Sequence, residues 1–111
     1  MKIKEIKDNK KQFLSLLLLA DEQEDMIDRY LDKGTMYVLN DNGIKCECVI
    51  TDEGNGILEI KNIATEPLHH GKGYAKQLID YIASKSVDSD MSNLSPSEDM
   101  RTKGNVADVF D

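Results

Sequence analysis

The stretch from Leu58 to Ala83 constrains the fold most, because several structural signals follow one another there in a fixed order. A strand-like run ends at Thr65, Pro67 follows, and a glycine-rich loop then leads into an amphipathic helix. Small loop residues let the backbone approach a ligand closely, and the first turn of a helix leaves its N–H groups without intrahelical acceptors. Because such a helix start binds anions, this stretch predicts a site for a phosphate-bearing ligand.

The loop itself, His70–Ala75 with the sequence HGKGYA, matches neither of the common nucleotide-binding motifs. A Walker loop ends in Gly-Lys-Ser/Thr after a spaced glycine, and no such run is present. The Rossmann fingerprint requires a third glycine at the position that Lys76 occupies. The spacing therefore argues against both an NTP-binding loop and a dinucleotide-binding loop.

The same loop resembles the acyl-CoA loop of the GNAT superfamily of N-acetyltransferases, Q/R-x-x-G-x-G/A. His70 stands at the Gln/Arg position, Gly73 at the glycine and Ala75 at the final small residue. The order of the preceding residues also resembles that family, with Glu59 first, then an apolar pair, then Pro67. The resemblance therefore depends on a strand, a proline, a loop and a helix in sequence rather than on six residues alone.

This resemblance implies an α/β fold of the α+β kind, with a mixed, mostly antiparallel sheet of about four strands. Two helices would follow the first strand, and a crossover helix would follow the fourth. Hydrophobic periodicity and an Asn-Gly hairpin turn agree with that order. The predicted strands are 1–6, 35–39, 44–51 and 57–65, and the predicted helices are 10–20, 22–31 and 71–85.

The resemblance further implies acetyl-CoA as co-substrate and an amine of unknown identity as acceptor. In this family the loop backbone holds the pyrophosphate, and the pantetheine arm lies along the end of the fourth strand. The residues that inherit these cofactor-binding roles are Ile63, Ala64, Thr65, His70, Gly71, Lys72, Gly73, Tyr74, Ala75 and Lys76. We expect no metal ion to take part.

Glu59 is the predicted catalytic residue, because some family members carry a general-base glutamate at this position of the fourth strand. The strand period of two predicts that Glu59, Lys61 and Ile63 share one face of the sheet. A carboxylate beside a cofactor cleft can accept a proton from an amine. The alternative interpretation is a surface glutamate paired with Lys61.

Composition and charge limit the classes of partner and compartment. The formal net charge of −7 argues against a nucleic-acid or bilayer-surface binder, which normally presents a basic face. The apolar run Phe13–Ala20 is too short to span a membrane, and the charged N-terminus does not resemble a secretory signal. Cys46 and Cys48 lie on one face of a strand, so we interpret them as reduced packing residues in a cytoplasmic protein.

The last segment, 86–111, contains five serines and six acidic residues without an apolar period. It predicts a flexible acidic, serine-rich tail after a partial GNAT-like acyl-CoA-binding domain in residues 1–85. We find no candidate there for the family's fifth strand, for its later helix and strands, or for the tyrosine that protonates CoA. The carboxy-terminal half of the domain is therefore expected to be missing, through truncation or a changed reading frame.

Two classes of function follow from this interpretation. The first is an acetyl-CoA-dependent N-acetyltransferase whose shortened chain has little or no turnover. The second is a non-catalytic remnant that binds CoA weakly or pairs with another chain through an unpaired sheet edge. The same edge would let two copies of the chain form a homodimer.

Overall fold

The computed structural model describes residues 1–54, residues 57–85 and the backbone of a short strand at 94–96. These residues contain α-helices and strands joined by short turns. The strands are β1 (Lys2–Ile6), β2 (Thr35–Asn40), β3 (Ile44–Gly54), β4 (Ile57–Thr65) and β5 (Leu94–Pro96), and the helices are α1 (Leu14–Ala20), α2 (Glu24–Leu31) and α3 (Tyr74–Lys85). Two 3₁₀ turns, Lys10–Phe13 and Pro67–His69, precede α1 and α3.

The strands form one sheet in the order β1-β2-β3-β4-β5. Strands β1 to β4 pair antiparallel with one another, and β5 pairs parallel with β4. Helices α1 and α2 lie between β1 and β2 in the chain, and α3 follows β4. The predicted fold class, a mostly antiparallel sheet with two inserted helices and a crossover helix, is therefore confirmed.

The β2–β3 hairpin shows how local sequence sets this order. Asn42 and Gly43 both have positive φ, 58° and 111°, which Asn and Gly adopt more readily than other residues. The side chain of Asn40 also accepts a hydrogen bond from the Gly43 N–H at 3.1 Å. The predicted Asn-Gly hairpin is present, and it brings the residues of β3 opposite those of β2.

Helices cover both faces of the sheet, so the central strands are buried on both sides. On one face, α3 packs on a cluster that includes Leu39, Cys48, Ile50, Ile60 and Ile63. On the other face, α1 and α2 cover a cluster built from both helices and the first three strands. Its buried members are Ile6, Leu17, Ile27, Tyr30, Leu31, Met36, Val38 and Val49. We call these the α3 face and the α1/α2 face.

A β-bulge in β4 changes which residues share a face. Val49 pairs with Asn62 and the next residue of β3, Ile50, pairs with Ile60, so Lys61 has no partner in the register. Ile60 and Ile63 therefore both lie on the α3 face, while Asn62 lies opposite them. The prediction that Glu59, Lys61 and Ile63 share one face is wrong, because a period of two does not continue through an extra residue.

The expectation that no strand follows the crossover helix is also wrong. Residues 94–96 form β5, in which Leu94, Ser95 and Pro96 pair with Leu58, Glu59 and Ile60. A strand of three residues is held by its backbone and is too short to show an alternating pattern. Proline is tolerated here because edge strands do not need every N–H. The rest of the predicted tail lies outside the described residues.

The helices begin later than predicted. Residues 10–13 form a 3₁₀ turn before α1, and α3 begins at Tyr74 rather than Gly71. The longest helix in the described part of the chain, α3, has 12 residues, and no described helix meets the length and hydropathy needed to cross a bilayer. The loop between β4 and α3 is consequently longer than the sequence suggested.

Candidate functional site

The loop between β4 and α3 turns on two glycines. Gly71 and Gly73 have φ of 81° and 78°, and a Cβ added to either would meet no atom within 4 Å. A residue with a side chain is strained at such φ values, whatever the space around it. The glycines are therefore required by the backbone conformation, and the open space beside them is available to a ligand.

The loop ends by presenting the first turn of α3. The first α-helical hydrogen bond runs from the Gln77 N–H to the Gly73 carbonyl at 3.0 Å. The N–H groups of Tyr74, Ala75 and Lys76 precede it and have no acceptor within the helix. Together with the helix dipole, these donors make the start of α3 electropositive.

Cationic side chains surround the loop unequally. Lys72 Nζ lies 3.2 Å from His69 Nδ1, so the ammonium group donates to a neutral imidazole. Partial burial, together with the nearby charges of Lys45 and Lys72, lowers the pKa of His69. Lys76 is exposed and donates to Asp80 at 3.1 Å, which offsets much of its charge. Lys72 is therefore better placed than Lys76 to contribute charge at the loop.

Tyr74 ties the start of α3 to the β2–β3 hairpin. Its hydroxyl donates to Asp41 Oδ2 at 2.7 Å, and this hydrogen bond raises the pKa of the Tyr74 phenol. The next residue, Ala75, is 4% exposed and packs into the α3-face cluster. The helix start is thus fixed by a polar contact on one side and by core packing on the other.

The end of β4 presents backbone rather than side chains. Ile63, Ala64 and Thr65 are all buried. Strand β5 pairs only with residues 58–60, and among the described residues no other strand pairs with the outer edge of β4 at 61–65. His70 Nε2 lies 3.0 Å from the Thr65 carbonyl and donates to it, which joins the end of the strand to the loop. The predicted pantetheine-binding segment therefore lies directly beside the predicted pyrophosphate loop.

Glu59 lies further back on β4, away from the loop. Its Oε1 accepts a hydrogen bond from Lys61 Nζ at 2.9 Å, and both side chains are about a quarter exposed, 26% and 23%. Glu59 pairs with Thr51 across the sheet, which places it on the α1/α2 face. The structure therefore shows the ion pair of the alternative interpretation, formed by the residue predicted to be the base.

A second polar cluster, on the α1/α2 face, was not among the predicted site residues. Glu47 is 0% exposed, and neither of its carboxylate oxygens has a hydrogen-bond partner among the described residues. Asn62 is also fully buried. Its Nδ2 donates to the Leu17 carbonyl at 2.9 Å and to the Tyr30 hydroxyl at 3.0 Å, but its Oδ1 has no partner in the part of the chain that the structure describes. Burial raises the pKa of Glu47 well above its usual range.

A signal for this cluster is present in the sequence. Cys46 and Cys48 occupy one face of β3, so Glu47 between them occupies the other. When helices precede and follow a meander, both faces of its central strands are covered, and the alternate residue of β3 becomes buried. The predicted helices on either side of the meander are therefore the signal that Glu47 is buried.

The cysteines belong to the core. Cys46 and Cys48 are buried on the α3 face and form no disulfide within the described part of the chain, and burial, with Glu47 nearby, raises the pKa of Cys48. Thr65 Oγ1 lies 3.5 Å from Cys46 Sγ. In the described part of the chain, no group of three or more His, Cys, Asp or Glu side chains could hold a metal ion.

Comparison with solved structures identifies the class of this fold. An IAA acetyltransferase from Bacillus cereus aligns with a TM-score of 0.70 and 31% identity, over 78% of this chain and 58% of its own. A Bacillus subtilis acetyltransferase in complex with CoA gives a TM-score of 0.69 and 28% identity over 78% and 58%. A GNAT family acetyltransferase from Elizabethkingia anophelis with acetyl-CoA bound gives 0.70 and 30% over 78% and 57%.

These similarities show that the described residues have the fold of the GNAT superfamily of acetyltransferases. The chain spans less than two thirds of the length of these solved structures. No protein-family model matches the chain, and no curated protein matches it. The predicted family is therefore confirmed through its fold.

Proposed function

We propose that this chain binds acetyl-CoA at the loop between β4 and α3 and that it is an N-acetyltransferase acting on an amine. The observation that carries the proposal is the open backbone of Gly71 and Gly73 leading into the free N–H groups of α3. Two solved structures of similar fold contain CoA or acetyl-CoA. That chemistry fits the donor set of this loop.

The residues around the loop suit a diphosphate. Backbone N–H groups at a helix start act as fixed donors that need little reorganisation when an anion binds. Lys72 adds charge beside the loop, where its ammonium group contacts the neutral ring of His69. The hydrogen bonds of His70 and Tyr74 hold the two ends of the loop in place. The chain therefore supplies backbone donors in a loop held by hydrogen bonds at both ends, with the cationic side chain of Lys72 beside it.

The arm of the ligand would lie along the outer edge of β4. Backbone N–H and C=O groups of Ile63, Ala64 and Thr65 are the groups nearest the loop on this strand. Bound acetyl-CoA would supply the activated acetyl group as a thioester. Pairing with an exposed strand edge orients an extended ligand through main-chain hydrogen bonds, so the side chains there set little specificity.

Glu59 is the proposed proton acceptor for the amine. General-base assistance contributes about 10²–10⁴-fold to a rate. For Glu59 to accept a proton, its ion pair with Lys61 must loosen or pass the proton through water, because Lys61 Nζ occupies one carboxylate oxygen. We therefore expect low turnover even where acetyl-CoA binds.

Replacement of Gly73 by valine tests the binding site. Valine at φ near 78° is strained, so the loop must change its backbone conformation and the donors no longer converge. We expect calorimetric titration with acetyl-CoA to show binding to the unaltered protein and none to Gly73→Val. Gly54→Val is the matched control, because Gly54 also has positive φ and open space but lies at the end of β3.

The control distinguishes loss of the binding site from a general loss of stability. If both variants lose stability equally but only Gly73→Val loses binding, the site is at the loop. Equal affinity of the two variants for acetyl-CoA would contradict the proposal that the cofactor binds at the loop between β4 and α3.

A second candidate is binding of CoA without turnover, and the Glu59–Lys61 ion pair favours it. An assay that follows CoA release with small amines and peptide N-termini distinguishes the two. Glu59-dependent release identifies an enzyme, whereas binding without release identifies a CoA-binding module.

A further inference from the structure

The chain contains two histidines, His69 and His70, and both precede the glycine loop. His70 is tied to the end of β4, because its Nε2 donates to the Thr65 carbonyl. His69 instead contacts the loop and the helix start. Its Nδ1 lies 3.2 Å from Lys72 Nζ, and its ring meets the Tyr74 ring edge-on with the centroids 6.5 Å apart. Since histidine changes its charge near neutral pH, this contact joins a titratable group to the proposed anion site.

The contact with Lys72 sets the tautomer of the imidazole. An ammonium group has only donors, so Nδ1 of His69 accepts the hydrogen bond and the ring proton is on Nε2. A second proton on Nδ1 would remove this acceptor and place two cations side by side. The arrangement therefore favours a neutral His69 for as long as the Lys72 ammonium group lies against its ring.

Other groups around the ring act on its charge as well. Among the described residues, those that are charged or titratable are Lys45 on β3, Asp41 in the β2–β3 hairpin, Glu66 and Lys72 beside or in the loop, and Tyr74 on α3. Partial burial and the two lysines lower the pKa of His69, whereas the two carboxylates act in the opposite direction. The Tyr74 phenol stays neutral, because its hydrogen bond to Asp41 raises its pKa. An added anion would reverse this balance.

We propose that His69 is a positioning residue that couples diphosphate binding at the loop to the uptake of a proton. When the diphosphate enters, the intact Lys72 ammonium group turns from the ring to a diphosphate oxygen, which leaves Nδ1 without this donor. A proton from solvent then forms an N–H bond at Nδ1, because the two negative charges of the ligand favour the imidazolium form. The inference rests on the proposed function, since it requires that the loop bind the diphosphate of CoA.

Proton uptake makes the affinity rise as the pH falls, until His69 is protonated in the free protein as well. The probe for this effect is dephospho-CoA, which keeps the diphosphate. The 3′-phosphate of CoA is a monoester with a second pKa of about 6, so it would titrate in the same range as histidine. We expect calorimetric titration of the full chain to give about three- to tenfold tighter binding at about pH 5.5 than at about pH 8.

Replacement of each histidine locates the coupled group. His69→Gln keeps an acceptor for Lys72 but cannot become charged, so its affinity for dephospho-CoA should not change with pH. His70→Gln is the matched control, because it removes the neighbouring imidazole, and it should keep the pH dependence of the unaltered protein. The proposal is overturned if His69→Gln keeps that dependence, or if His70→Gln alone loses it.

Nuclear magnetic resonance measures the coupling directly, because the Hε1 signals of two histidines are readily followed through a pH titration. The pKa of His69 should rise when dephospho-CoA is added, which a merely structural role would not produce. In the free protein, Lys72→Met should also raise the pKa of His69. Lys76→Met, which removes a lysine paired with Asp80, should not. A pKa of His69 that is unchanged by the ligand, or by Lys72→Met, would contradict the coupling.

A parallel titration with acetyl-CoA separates this proposal from the proposed function. Binding of acetyl-CoA and dephospho-CoA with an unchanged pKa of His69 overturns the coupling and leaves the binding assignment standing. Failure of both ligands to bind at any pH contradicts the coupling and the binding assignment together.

Discussion

The two faces of the sheet are buried to a similar extent but differ in chemistry. The α3 face is mostly apolar: its cluster includes Tyr37 and Tyr74, the Tyr74 hydroxyl donates to Asp41, and the Thr65 hydroxyl contacts Cys46. The α1/α2 face contains Glu47 and Asn62, which leave three buried side-chain oxygens without a hydrogen-bond partner among the described residues. The difference indicates that the α3 face is the scaffold that holds the loop, whereas the α1/α2 face keeps polar atoms that packing alone does not require.

The largest effect is expected on the α3 face. Leu78 is fully buried in that cluster, so Leu78→Ala should lower the free energy of unfolding by about 2–5 kcal/mol. Urea denaturation followed by circular dichroism measures the change. Leu68→Ala is the matched control, because Leu68 is 84% exposed and the same truncation should leave stability nearly unchanged. Equal losses in both variants would mean that the α3 face is not the scaffold.

The α1/α2 face should respond to pH. The pKa of Glu47 is raised in the folded state, so above the ordinary glutamate pKa the folded protein binds more protons than the unfolded chain. Stability should therefore fall as pH rises, by about 1.4 kcal/mol per pH unit until the folded-state pKa is passed. Glu47→Gln removes this dependence and should be the more stable form at alkaline pH.

The comparison is made by urea denaturation at several pH values between about 5 and 8, a range above the usual glutamate pKa. Glu53→Gln controls for the loss of one negative charge and should keep the slope of the unaltered protein. Identical slopes for Glu47→Gln and the unaltered protein would show that Glu47 is not a neutral buried acid.

The smallest effect is expected at the Glu59–Lys61 ion pair. Glu59 and Lys61 form a partly exposed ion pair, and such pairs contribute about 0–1 kcal/mol. Glu59→Gln should therefore change the unfolding free energy by no more than this, and less at high salt, in the same urea assay. A loss comparable with that of Leu78→Ala would instead give Glu59 a structural role.

Much of the fold was predictable because its signals are local. The hairpin at Asn42-Gly43 depends on two residues that tolerate positive φ, and the bounds of β4 match the predicted 57–65. The bulge at Lys61 was not predictable, because an unpaired residue is a property of the register between two strands. The strand at 94–96 was missed for a similar reason, since its pairing is made by backbone groups.

The candidate site divides in the same way. Glycines at the loop were predictable from a backbone requirement that the sequence displays directly. The burial of Glu47 was not predictable, because it depends on α1 and α2 packing over its face of the sheet. The local sequence pattern does not show which helix covers that face. Residues whose role comes from long-range packing need the assembled sheet before they can be recognised.

The Tyr74–Asp41 hydrogen bond has a consequence for the order of folding. It joins residues 33 positions apart, and Asp41 lies in a hairpin whose strands are adjacent in the chain. Hairpins form in about 1–10 μs, whereas contacts of high sequence separation must first close a loop. On a ribosome the hairpin also emerges first. The acidic anchor is therefore in place before Tyr74 reaches it, and the glycine loop acquires its shape as one of the last local events of folding.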